Sequence, residues 1–232
     1  MKTLKNLLTI GILCFPLYIA CNNSTDANTN SEQKKEDVSM GSSNSNTSGR
    51  YGIESGIVTS ETMLPNNMGK TTTIQYFKDY GGVERTEIIS LITAGGQNIK
   101  STSHSLMEGS TIYNWEEGAT TGTKIVMDMI QDISKMNYRE MSAELKQQFN
   151  IKEEGKNMAN GKNCDTYSID YLGSKGKVYI WEGITMKSEM AMAGMNVEIN
   201  VVDLQENANI DGDKFKVPSN ITFTEVTMPG KK

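Results

Sequence analysis

Positive charge is scarce in this chain. Its 23 lysines and arginines are outnumbered by 28 aspartates and glutamates, for a net charge of −5 over 232 residues. That balance leaves no electrostatic footprint for nucleic acid and no polybasic help toward anionic lipid. No apolar run is long enough to span a bilayer comfortably. Histidine occurs once, at His104, inside the Ser/Thr-rich run 101–105. It could serve a serine as a base, but no nucleophile elbow accompanies it, and it reads as part of an exposed polar strand face. Glu116-Glu117 and Glu153-Glu154 read as solvated loop charges rather than an acid pair for glycoside chemistry. The expectation is a protein that is not an enzyme and carries no cofactor.

Three apparent motifs lack the partners their chemistry needs. Met68-Gly69-Lys70-Thr71-Thr72 echoes the end of a phosphate-binding loop, but position 64, where that loop needs glycine, is Leu64. The segment also leads into a strand rather than opening a helix. Asn207-x-Asn209-x-Asp211-Gly212 echoes a calcium loop, yet its twelfth position is Pro218 instead of a bidentate glutamate. Met190-x-Met192-x-x-Met195 echoes thioether sites for Cu(I), and the only histidine is far from it in sequence. No metal site is assigned.

What is present begins at the N-terminus. Lys2 and Lys5 precede an apolar run from Leu7 to Ile19, broken only by Thr9, Gly11 and Pro16, and the run ends in Ala20-Cys21. A positive start, a short apolar core, a small residue and then cysteine resemble a bacterial lipoprotein signal. Tyr18 departs from it, standing where that signal usually has leucine. The resemblance implies cleavage after residue 20 and acylation of Cys21, which anchors the chain to a membrane. Loss of Lys2 and Lys5 takes the net charge to about −7. Cys14 leaves with the signal and Cys21 carries lipid, so Cys164 has no intrachain disulfide partner and is expected buried and inert. Asn22 follows the anchor in place of the aspartate that marks inner-membrane retention in known sorting systems. This favours the outer membrane, facing the periplasm.

Residues 22–49 are polar, with Ala27, Val38 and Met40 the only apolar side chains. Such a stretch buries too little surface to offset ordering entropy and reads as a flexible tether with a reach of roughly 30 Å. The organisation is thus 1–20 signal, 21–49 anchor and tether, and 50–232 one domain, expected to be a monomer. In that domain, runs rich in β-formers alternate with Gly, Asn and Asp turns. Strands are expected at 51–63, 71–80, 83–92, 98–107, 111–115, 124–127, 165–172, 177–181, 185–192, 196–204 and 221–226. Met141, Leu145 and Phe149 are spaced i, i+4, i+8, a helical stripe. Asn137 and Glu140 resemble a capping box before it, and Ile130 and Ile133 suit a preceding helical turn. The fold class expected is mainly β with one or two helices.

Gly161-x-x-Cys164-x-x-Tyr167-x-Ile169, then 178–189 (VYIWEGITMKSE), then Ile210, Phe215 and Val217-Pro218, resemble an uncharacterised group of small bacterial exported proteins. That group sits near the LolA/LolB-like lipoprotein-carrier superfamily. The resemblance implies a curved antiparallel half-barrel covered by the mid-chain helix, enclosing an apolar cavity for a lipid or lipoprotein ligand. Strand alternation supports an apolar lining, placing Met186, Met190 and Met192 on one face of 185–192 and the charges on the other. Methionine suits adaptable apolar surfaces; the same residues would equally fill a packed core. Val197, Ile199 and Val201 continue the wall, and Met141 and Leu145 face it from the helix. Tyr179 and Trp181 share one face of their strand and Val178 and Ile180 the other, so that strand is expected to be central.

Overall fold

The computed structural model describes residues 49–64, 68–126, 146–147, 149–171, 174–192 and 195–227. Among these, twelve strands build one sheet: β1 Gly56–Met63, β2 Gly69–Lys78, β3 Val83–Ala94, β4 Gln97–Glu108, β5 Thr111–Glu116, β6 Thr121–Val126, β7 Lys152–Ala159, β8 Lys162–Tyr171, β9 Ser174–Trp181, β10 Ile184–Met192, β11 Met195–Glu206 and β12 Thr222–Thr227. The spatial order is β12-β6-β5-β4-β3-β2-β1-β11-β10-β9-β8-β7. Two meanders, β1–β6 and β7–β11, are therefore joined where β11 pairs with β1. The result is an open, curved, mainly β fold with β9 inside the sheet between β8 and β10.

The polar strand β7 was not expected. Its sequence KEEGKNMA has no apolar alternation because it lies at the sheet edge, exposed along nearly its whole length. Lys152, Glu153, Glu154 and Lys156, with a register shift between Glu153 and Lys156, discourage further strands from adding there. Pairing is antiparallel except for β12, which runs parallel to β6. That departure from the expected antiparallel sheet follows from the chain path: 208–221 crosses the sheet's back instead of turning in a hairpin.

The helix expectation is corrected. Among the described residues, helical backbone is confined to 3-10 turns at Asp79–Gly81 and Gly212–Phe215 and to the pair Lys146 and Gln147. Ile130, Ile133, Met141 and Leu145 lie outside the described residues. Phe149, the last residue of the stripe, packs beside Ile151 against buried Tyr167, Ile169, Val178 and Ile180. The described segments that cover the sheet are irregular chain, and they do so by hydrogen bonds to hairpin turns and by isolated apolar plugs.

Two faces follow from the register. The inner face carries Val58, Thr62, Thr71, Phe77, Ser188 and Val201, all buried. The outer face carries Tyr76, Arg85, His104 and Trp115 in the first meander and Tyr179, Lys187 and Glu189 in the second. At the first end of the sheet lie the hairpin turns 79–82, 109–110, 160–161 and 182–183; at the second lie the turn 95–96 and the strand ends at Met63, Gly69, Met192 and Met195.

The first end is closed. Residues 50–54 run across it from one hairpin turn to another. Tyr51 N–H donates to the Tyr80 carbonyl at 3.0 Å, Tyr80 N–H to Glu54 at 3.0 Å, and Gly52 N–H to Glu182 at 2.8 Å. Glycine is required where this strap passes. Gly81 has φ +86°, and a Cβ there would lie 2.8 Å from the Tyr51 ring. Gly183 has φ +79°, and a Cβ there would strike the Arg50 carbonyl. Beneath the strap, Tyr51, Val58, Phe77, Ile184, Met186 and Val201 form a core cluster with Ala159 and Cys164. A second core lies on the outer face, where Phe215 seals Leu106 and Trp115, flanked by Ile210, Val217 and Ile221.

Candidate functional site

The inner face changes character along the sheet. On β10 and β11, Met190 stands opposite Val197, and Ser188 opposite Ile199. Met190, Val197 and Ile199 are half-buried. Met190 also lies across bare backbone of β9. A Cβ on its partner Gly176 would approach the Met190 sulfur to 2.5 Å, so glycine there opens the space the methionine fills. Of the remaining expected lining residues, Met186 and Val201 are buried in the core of the closed end. Met186 sits where the β9–β10 register shifts, between Thr185 and Lys187. The shift seats its side chain in the packed cluster. The backbone of Met192 pairs with Met195; its side chain, like Met141 and Leu145, lies outside the described residues.

On the first meander the same face carries a polar row set between apolar positions, with Ile88 on one side and buried Met107 and Ile112 on the other. Gln75, Thr86, Ser105, Asn114, Thr123 and Thr224 form one lateral row, one from each of six adjacent strands. Sequence reading missed this half, although the hydroxyls at 101, 103 and 105 already showed the period of a strand.

At the second end, the strand tips are apolar and uncovered. Met63, Met68, Leu91, Ile99 and Met195 are all exposed there, between 40% and 64%. They are neighbours through β1–β4: Thr93 N–H donates to the Met68 carbonyl at 2.8 Å, Gly69 and Ile99 both pair with Ile92, and Leu91 pairs with Lys70. Met195 stands on the tip of β10–β11 at the same end. A shallow depression of about 300 Å³ beside Met63 is lined by Glu61, Asn196, Glu198, Asn200 and Val202 on the outer face.

The outer face carries two polar networks. In one, Lys187 bridges Glu189 at 2.8 Å and Glu198 at 3.2 Å, and Tyr179 Oη donates to Glu189 at 3.0 Å. The hydrogen bond from Lys187 holds the Glu189 carboxyl below its ordinary value against the opposing effect of burial. In the other, His104 is stacked on Trp115 with its nitrogens toward Arg85 and Glu117. His104 is buried, at 7% exposure, which corrects the expected exposed strand face. It points away from Ser103 and Ser105, which belong to the inner face, so those serines and the imidazole are not brought together. The Glu117 carboxyl is held low by its hydrogen bond to His104. Burial opposes the charge on Lys214, but pairing with Glu87 and Tyr76 outweighs it and raises the ammonium.

Cys164 is buried, and desolvation pushes its thiol up, away from the reactive thiolate. Its Sγ donates to the Lys162 carbonyl at 3.5 Å. Among the described residues, no group of three or more His, Cys, Asp or Glu is placed to hold a metal ion. No helix among them is long and apolar enough to cross a membrane. The echo of a phosphate loop at Gly69–Thr72 lies in strand β2. Asp211 caps the 3-10 turn at Gly212, accepting from Asp213 N–H at 3.0 Å.

No family model matches the chain, and no curated protein matches it. Solved structures do. An uncharacterised conserved protein from Thermus thermophilus aligns over 75% of this chain and 91% of its own, at 7% identity and TM-score 0.49. MucB, solved in complex with MucA(peri), aligns over 74% of this chain and 56% of its own, at 10% identity and TM-score 0.44. A LolA superfamily protein from Nitrosomonas europaea aligns over 72% and 92%, at 9% identity and TM-score 0.33.

Proposed function

We propose that this is a lipid-anchored protein of the cell envelope that holds an apolar ligand on the inner face of its sheet. The ligand class is an acyl chain, a lipid or a lipoprotein, admitted from the second end. The observation that carries the reading is the difference between the two ends. The strap and a packed core close the first, while the second presents exposed Met63, Met68, Leu91, Ile99 and Met195. Exposed apolar patches mark interaction sites on soluble domains. Half-buried Met190, Val197 and Ile199 lie inward from that mouth, and flexible thioethers accommodate chains of varied shape. The lipoprotein-like signal ending in Cys21 supports the anchor and an outer-membrane, periplasm-facing location. The protein acts as a monomer without cofactor or catalytic step.

A second reading is a ligand-free interaction module that uses the sheet as a platform. The row of hydroxyls and amides on β2–β6 and β12 favours it, because it interrupts the apolar wall across half of the inner face.

Native mass spectrometry of the delipidated protein separates the two. Co-purifying lipid supports the carrier; a clean apo mass from several detergents supports the platform. Met190→Glu locates the site. In the carrier it abolishes binding of a fluorescent fatty acid and leaves folding intact, since a half-buried position keeps the new charge near water. Unchanged probe binding rejects the site, and a collapse of the fold places Met190 in packed core.

A further inference from the structure

The β3–β4 part of the apolar mouth is free of acids, whereas Glu61 and Glu198 stand beside Met63 on its other side. From Ile88 to Met107 there is no aspartate or glutamate, in a chain that carries 28 of them. This stretch is most of the β3–β4 hairpin, which ends in the turn Gly95-Gly96, and residues 93–100 at its tip are almost all exposed. Leu91 is flanked across the sheet by Lys70 and Lys100. Lys70 is neutralised by Glu61 at 2.7 Å, and Lys100 is exposed. A hairpin tip of exposed leucine and isoleucine, free of acids and edged by lysines, has the composition that settles into the interfacial region of a bilayer.

We propose that this lip docks on a lipid bilayer, and on the same bilayer that holds the protein by Cys21. The inference rests on the anchor assigned to Cys21. Its geometric basis is the length of chain between anchor and sheet. The chain joins the domain at Arg50, at the first end, opposite the lip. Strands of twelve residues such as β3 and β4 make the sheet about 40 Å long. The chain from Cys21 to Arg50 spans at most about 95–105 Å, more than twice that length. The domain can therefore turn over and lay its lip on the anchoring membrane, where the anchor keeps the effective concentration of lipid high. The lip would then meet acyl chains at the mouth of the inner face, and the anchor and lip together would act as two signals for membrane residence.

The test places a polarity-sensitive dye at the tip, on Gln97→Cys, in the full acylated protein held in phosphatidylcholine vesicles containing a brominated lipid. A second label on Ser110→Cys, at the opposite end, is the control. The expected result is quenching at 97, none at 110, and loss of the quenching in Leu91→Asp/Ile99→Asp with an unchanged unfolding temperature. Added from solution, the Cys21→Ser chain partitions weakly into the same vesicles, and the double variant lowers that partition by about tenfold or more. Absence of quenching at 97 in vesicle-held protein overturns the proposal. So does quenching that survives the double variant. If the protein does not stay with the vesicles, the anchor assignment fails. Partition of the chain into excess vesicle then decides the lip alone.

Discussion

The guanidinium of Arg85 lies 3.1 Å from Nδ1 of His104, and this fixes the state of the ring. Arginine can only donate, so Nδ1 must accept, and the imidazole proton is on Nε2. From there it is given to the Glu117 carboxylate at 2.5 Å. The same guanidinium stacks 4.8 Å from the centre of Trp115 and donates to the Lys214 carbonyl at 3.4 Å. The only histidine thus holds the arginine that ties the C-terminal crossing segment to the back of the sheet.

Its replacement tests that role. Arg85 Nε is already buried without a partner, and His104→Leu would leave Nη2 only the Glu87 carboxylate, 3.5 Å away. The expected cost is about 1–3 kcal/mol, read as a shift of the urea midpoint at unchanged slope. Nitrogen chemical shifts should report a neutral ring protonated on Nε2. An Nδ1-protonated tautomer would contradict the geometry.

The strap makes a separate prediction. Tyr51 Oη donates to Glu84 at 2.8 Å and accepts from Gln75 at 2.5 Å, and Arg50 pairs with the same Glu84. Tyr51→Phe keeps the ring against Phe77, 4.4 Å away, and removes only the hydroxyl. A loss of about 1–2 kcal/mol is expected, with faster hydrogen exchange at the amides of Tyr51 and Gly52. Exchange unchanged at both amides would show that the strap is held by its backbone bonds alone.

Met186 and Met190 should separate in their response to truncation. Met186 is 1% exposed and surrounded by Val58, Phe77 and Val201. Met186→Ala should cost about 2–5 kcal/mol through lost burial and an unfilled cavity. Met190→Ala, at a half-buried position, should cost clearly less. Equal losses in thermal unfolding would mean that the two sites are packed alike.

Acid should weaken the fold through the outer network. The Glu189 carboxyl is held low chiefly by Lys187, with help from Tyr179 and opposition from burial. A depressed acid stabilises the fold fully above its ordinary value near 4.5, and that contribution is lost as pH falls through the lowered folded value. The Tyr179 phenol is pushed up by burial and by Glu189, so its contribution is complete below its ordinary value near 10 and lost as pH rises through the raised one. A plateau between these limits is expected. Glu189→Gln should flatten the acid limb of melting temperature against pH. An acid limb identical to wild type would exclude this network.

Eleven of the twelve strands and their turns could be located from alternation and glycine, because period two and left-handed turns are properties of neighbouring residues. β7 escaped because it is exposed along nearly its whole length and so carries no apolar alternation. The alternation of Met186, Ser188 and Met190 was legible too. That Met186 lies in core and Met190 on the open wall was not, because a register shift between β9 and β10 and the bare backbone of Gly176 decide it. Lateral neighbours such as Gln75, Thr86, Ser105 and Asn114 are up to 39 residues apart in sequence. Only strand order makes them a polar row. The lipoprotein-like start, the acidic balance and the solitary Cys164 are properties of the chain itself. The burial of His104 and the closed first end depend on which distant segment packs across the sheet, and the tertiary structure alone decided that.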